Sequence, residues 1–210
     1  MFRRKILSLQ AIKLKPTSGK SPTHLLVGLH GWGANSRDLA SLAPMLQLPD
    51  YQMVFPDAPF PHPQAPGGKA WYALEKSDYL GLPESRQKLR DWLLSLEALT
   101  GISLSQTILA GFSQGGAMAL EVGLSLPLAG ICSLSGYLHS PPQDGESNPP
   151  VLIVHGKQDQ VVPLKLAQQA RDELNKLGVQ VDYREFEMGH EILPEVLTVI
   201  SSFVKDVCGN

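Results

Sequence analysis

The sequence predicts a three-layer α/β fold built as one domain over residues 1–210, with a mostly parallel central sheet and helices on both faces. Three observations predict it. Short apolar runs alternate with longer segments of helical periodicity, which is the order of strand–helix–strand units. Several of the runs are continuously apolar rather than alternating, as strands buried on both faces of a parallel sheet are. The length, 210 residues, supports one full core and leaves little room for a second.

Strands are expected at residues 6–14, 25–29, 53–55, 107–110, 130–134, 151–154 and 179–186. The first follows Arg3, Arg4 and Lys5, a start that a secretory signal would continue with a long apolar run. Gln10, Lys13 and Lys15 interrupt that run, so residues 4–14 read as a mature strand. Helices are expected at 84–99, 164–177 and 193–204. In the first, Leu89, Leu93 and Leu96 share one side while Arg86, Lys88, Arg90 and Asp91 lie largely elsewhere. The second starts after Pro163 and stops at Gly178, residues suited to a helix start and a C-terminal cap. The third is apolar at Val196, Leu197, Ile200 and Val204. The stretch 122–138 carries no charge. It is too short for a membrane span, contains Pro127, and reads as a helix end followed by a buried strand. Residues 56–68, with five prolines, and 140–150, with four, read as loops.

Composition excludes several classes of function. Apolar residues make up 43% and charged residues 18%, which is globular rather than disordered. The net charge of −2, with no Lys/Arg block, offers nothing to nucleic acid. Two cysteines, Cys132 and Cys208, without a CxxC pair, read as free thiols in a reducing cytoplasm.

The chemistry is concentrated in Gly111-Phe-Ser113-Gln-Gly115-Gly116. Gly-x-Ser-x-Gly alone is a weak signal. Here an apolar strand precedes it and a helical pattern follows it, the context of a nucleophile elbow in the α/β-hydrolase fold. The turn forces the serine backbone into a sterically poor conformation, and Gly111 and Gly115 let strand and helix approach. The helix beginning near Gln114 aims free N–H groups at a reacting carbonyl. A serine hydroxyl needs a base. Of six histidines, His190 stands after the last expected strand, in Glu187-Met-Gly-His-Glu191, where a loop overlies the carboxyl edge of the sheet. A zinc motif there is ruled out because Pro194 occupies the position of a second histidine. Asp159, past another strand end, supplies the carboxylate that orients the base. The order Ser113, Asp159, His190 is that of α/β-hydrolases. Oxyanion donors are expected from the backbone N–H of Gln114 and from the early loop His30-Gly31-Trp32-Gly33, at Trp32. His30 is expected to brace that loop. Trp32, Trp71 and Tyr72, beside the proline-rich loop, are expected to wall an apolar substrate groove, against the plainer reading that aromatics are core.

Taken together, Leu29-His30-Gly31-x-Gly33, Pro56-Asp-Ala-Pro59, Trp71-Tyr72, Gly111-Phe-Ser113-Gln-Gly-Gly116, His155-Gly-x-x-Asp159-x-Val-Val-Pro163 and Gly189-His190 resemble the phospholipase/carboxylesterase family, which includes acyl-protein thioesterases and small carboxylesterases. The resemblance implies a compact hydrolase without a large cap domain. It implies cleavage of acyl esters or thioesters with no metal or cofactor, and it supports the oxyanion roles of Trp32 and Gln114. The family often has a small aliphatic residue with a nearby Asp where this chain has Trp32, Ala34 and Asn35, and Asp where it has Ala73. These departures point to small or lipid-like acyl substrates rather than acylated proteins. A homodimer is compatible with this reading. The competing readings are a peptidase on the same fold, which lacks a cap to hold a peptide, and a catalytically silent binding protein. GxGxxG is absent, which argues against a dinucleotide-binding domain.

Overall fold

The computed structural model describes residues 9–74, 78–142 and 147–209. The basic N-terminus and residues 6–8 of the first expected strand lie outside the described residues, as does the stretch 143–146 of the second expected loop.

Seven strands form the main sheet: β1 (Ala11–Leu14), β2 (His24–Leu29), β3 (Tyr51–Pro56), β6 (Thr107–Phe112), β7 (Gly130–Leu134), β8 (Val151–Gly156) and β9 (Val181–Phe186). Their spatial order is β1-β3-β2-β6-β7-β8-β9. β1 pairs antiparallel with β3, and every other neighbouring pair is parallel. β2 is the point where the winding reverses: the chain passes from it to β3 on one side, then returns to β6 on the other. The loops leaving β2 and β6 therefore diverge at the carboxyl edge and leave a crevice there, where open α/β sheets hold ligands.

Side-chain alternation along the strands builds two cores. Leu25, Val27 and Leu29 of β2 face one side with Leu109, Ile131, Val151 and Ile153. They meet α2 (Leu82–Thr100), α3 (Gln114–Gly123) and α4 (Leu164–Lys176) through Leu89, Leu93, Met118 and Leu174. Leu26, Ile108, Cys132, Leu152 and Val154 face the other side. There they meet α5 (Pro194–Cys208) through Val196, Ile200 and Val204. A 3₁₀ turn at Ala43–Leu46 adds Ala43 and Leu46 to this layer. The short α1 (Ser36–Ala40) lies beside it, started by a capping box in which Asn35 and Asp38 satisfy each other's backbone N–H groups.

The expected elements are present with shifted ends. The strand expected at 53–55 runs over Tyr51–Pro56, because the parallel register carries pairing back to His24↔Tyr51. The uncharged stretch 122–138 is the end of α3 followed by the wholly buried β7. Residues 56–68 are not loop throughout: β4 (Phe60–Pro61) pairs antiparallel with β5 (Lys69–Ala70), with Phe60 opposite Ala70. Two-residue strands containing proline carry no periodicity that a sequence can display. Among the described residues no helix is long and apolar enough to cross a membrane.

Candidate active site

Ser113 follows β6 directly and stands at the N-cap of α3, with φ 55° and ψ −118°, a conformation that side-chain-bearing residues rarely adopt. The neighbouring glycines are required by contact. A Cβ on Gly111 would stand 2.2 Å from the Gly115 carbonyl oxygen, and one on Gly115 would stand 2.1 Å from that of Leu29. The Ser113 N–H donates to the Leu134 carbonyl at 2.8 Å, which ties the elbow to β7.

The residues predicted to act on one another converge. His190, 77 residues from Ser113 in sequence, has Nε2 2.8 Å from Ser113 Oγ, and its Nδ1 lies 2.7 Å from Asp159 Oδ2. The other carboxylate oxygen of Asp159 accepts the N–H groups of Val161 at 2.9 Å and Val162 at 2.8 Å. Burial pushes the Asp159 carboxyl up, but the His190 hydrogen bond and these two backbone donors outweigh it, so the group is held below the usual carboxylate range. With Asp159 ionised, Nδ1–H of His190 donates to it and Nε2 is left to accept the serine proton. His155, fully buried, donates from Nε2 to the Val162 carbonyl at 2.8 Å and so steadies the Asp159 loop.

The early loop is held at several points. His30 donates from Nδ1 to the Gly31 carbonyl at 2.8 Å and accepts the Ala58 N–H on Nε2 at 3.0 Å. Burial lowers its pKa, which favours this neutral form. Gly31 lies against the nucleophile: a Cβ there would be 3.4 Å from that of Ser113. Beyond it, the Gly33 and Ala34 amides bond to the carbonyls of Lys69 and Gly31, whereas no described backbone group takes the Trp32 or Gln114 amide.

A cavity of about 660 Å³ opens beside this loop, lined by Trp32, Phe60, Pro61, Tyr72, Leu80 and Pro83 among others, with Glu84 as the charged group of its lining. Trp32 and Tyr72 border this cavity. Trp71 does not. Its side chain is fully buried in the core, and its indole N–H donates to the His30 carbonyl at 3.0 Å. The Tyr72 side chain is fully buried in the same core, so it supports the cavity from beneath while the residue borders it. One participant escaped the sequence reading: the Gln114 side chain. Its Oε1 accepts the Trp71 N–H at 2.9 Å and its Nε2 donates to the Tyr72 carbonyl at 2.8 Å, so the elbow itself holds the cavity wall.

Residues 16–208 match the model of the phospholipase/carboxylesterase family. The chain belongs to that family. It is a hydrolase of the ester-cleaving class, with the α/β-hydrolase fold and no large cap domain over the described part of the sheet. Among curated phospholipase/carboxylesterase relatives, acyl-protein thioesterase 1 of Saccharomyces cerevisiae is 30% identical over 208 residues, covering 86% of this chain and 91% of its own. The Neurospora crassa protein of the same name is 30% identical over 213 residues, with 88% and 86% covered. Among solved structures, that of esterase PE8 superposes with a TM-score of 0.89 at 33% identity, over 96% of this chain and all of that one.

Proposed function

We propose that the protein is a serine hydrolase that cleaves esters or thioesters of small or lipid-like acyl groups through an acyl-enzyme intermediate. The observation that carries this reading is the unbroken relay from Ser113 Oγ through His190 to Asp159, at 2.8 and 2.7 Å. Ser113 Oγ attacks the acyl carbon as its proton passes to His190 Nε2. The amides of Trp32 and Gln114 hold the oxyanion. The tetrahedral intermediate collapses, and the leaving oxygen or sulfur departs with the proton from His190. Water then attacks the acyl carbon, giving its proton to the same nitrogen, and Ser113 leaves with that proton restored.

The acyl chain occupies the cavity walled by Trp32, Phe60 and Leu80, whose size and apolar lining suit a chain of several carbons. The names of the curated relatives extend the candidates to thioesters. The bulk of Trp32 in the lining favours a small or lipid-like ester over an acylated protein. The two cysteines are free, in keeping with a reducing cytoplasm.

The test is a panel of p-nitrophenyl esters and matching thioesters from acetyl to dodecanoyl. Specificity should climb about fourfold per methylene, the equivalent of about 0.8 kcal/mol, until the cavity is filled. Equal kcat/KM for acetyl and octanoyl esters would remove the acyl chain from this cavity. Absence of covalent labelling by a fluorophosphonate would remove the serine mechanism.

A further inference from the structure

Outside the triad, the described residues hold a second, part-buried histidine–carboxylate pair. His139, in the loop after β7, places Nδ1 3.0 Å from Glu121 Oε2, and Glu121 Oε1 lies 3.3 Å from Arg86 Nε of α2. The His139 hydrogen bond holds Glu121 below the usual carboxylate range. Burial opposes this, and the charges of His139 and Arg86 assist it. The other nitrogen of His139, Nε2, is buried with no hydrogen-bond partner among the described residues. A buried polar atom left unpaired costs stability, and a Leu or Phe would pack there without that cost.

What surrounds the ring gives the reason for a histidine. Tyr72, Tyr79 and Tyr137 stand edge-on to it, with ring centroids 4.9, 5.1 and 5.5 Å away. Tyr72 borders the cavity from within the core, and its phenol meets that of Tyr137 at 2.7 Å. Tyr72 and Tyr79 also meet edge-to-face at 5.5 Å. Glu121 sits on α3, the helix capped by Ser113. The same helix therefore sets the nucleophile at one end and, two turns on, grips through Glu121 and His139 the tyrosines behind the cavity wall.

We propose that His139, oriented by Glu121, is a positioning residue for acyl-chain selection: it fixes the buried Tyr72 ring that supports the wall of the acyl cavity from beneath. This rests on the reading that the cavity receives the acyl chain. Removing the His139 ring opens space around Tyr72, whose ring can then shift and let the wall above it give way. The distal carbons of the acyl group then have less to pack against, while the reacting carbonyl is held as before.

The experiment compares the octanoyl-to-acetyl ratio of kcat/KM for p-nitrophenyl esters in the unaltered enzyme, His139→Ala, Glu121→Ala and Glu121→Gln, with thermal unfolding of each. The ratio should fall about fourfold to fifteenfold in His139→Ala and Glu121→Ala, the worth of one to two methylenes. Glu121→Gln keeps an oxygen for the Nδ1–H and should retain most of the ratio. A flat chain-length profile in the unaltered enzyme would sink the acyl-cavity reading. A steep profile that persists in a folded His139→Ala would overturn the positioning role alone. If His139→Ala does not fold, equal ratios in Glu121→Ala and Glu121→Gln would overturn it.

Discussion

At the scale of single residues, Ser113 carries backbone strain and, in the proposed function, the nucleophile. Ser113→Ala should fold and lose ester hydrolysis by several orders of magnitude, read by steady-state kinetics against a normal unfolding transition. Ser113→Gly removes the side chain that makes φ 55° unfavourable. It should therefore be more stable than Ser113→Ala by about 1 kcal/mol in urea unfolding, the relief of strain outweighing the extra freedom of glycine when unfolded. Asp159→Asn keeps the shape of the carboxylate but favours the wrong histidine tautomer, so kcat should fall by about 10⁴ with little change in KM. The depressed Asp159 carboxyl also makes a pH prediction. Its contribution to stability is complete above the ordinary aspartate value of about 3.9 and is lost as pH falls through the lower native value, because the unfolded chain takes up the proton first. Below about pH 4 the unaltered protein should thus lose stability more steeply than Asp159→Asn, and parallel slopes in unfolding titrations from about pH 5 to 3 would contradict this.

At the scale of elements, the elbow works because backbone meets backbone. Gly115→Ala drives a methyl into the Leu29 carbonyl, which cannot step aside, and should cost about 3 kcal/mol or more in urea unfolding. Gly28→Ala meets the Phe55 ring at 2.7 Å, and a ring can turn, so its cost should be nearer about 1 kcal/mol. The Gln114 side chain joins this element to the next wall of the site. Gln114→Ala strands the Trp71 N–H and the Tyr72 carbonyl in a buried place and should cost about 1–3 kcal/mol for each group. Trp71 belongs to the same joint. Trp71→Ala should destabilise by about 3–5 kcal/mol as a core deletion, in place of trimming a substrate contact.

At the scale of the whole molecule, the two cores hold the sheet while its reversal at β2 leaves the carboxyl edge open for the site. The proposed acyl cavity lies where that edge meets the β4–β5 hairpin and the start of α2, so three parts of the chain share its walls. Ala73 lies on the lining, and Ala73→Phe adds a ring to the space without touching the triad. Its preferred ester should be several carbons shorter than that of the unaltered enzyme, measured as the position of the kcat/KM maximum. An unchanged maximum would place the acyl chain elsewhere.

The layered fold, the elbow and the candidates Ser113, Asp159 and His190 were legible in the sequence, because each leaves a local mark: a continuously apolar strand, a glycine pair about a serine, a polar residue just past a strand end. These marks depend on neighbours within a few positions, where backbone sterics and periodicity operate. The rest was decided by contacts between remote segments. Nothing near Trp71 and Tyr72 in the sequence says that both side chains are core and that only Tyr72 borders the cavity; the segment is held by Gln114 and His30, some 40 residues away, which take the backbone and the indole. The pairing of Phe60 with Ala70 has no periodic signature, and the grip of Glu121 on His139 joins a helix to a loop only after the sheet has brought them together. Periodicity reports which faces of an element avoid water, whereas the partner across a cavity is set by packing in three dimensions, and that became visible only in the tertiary structure.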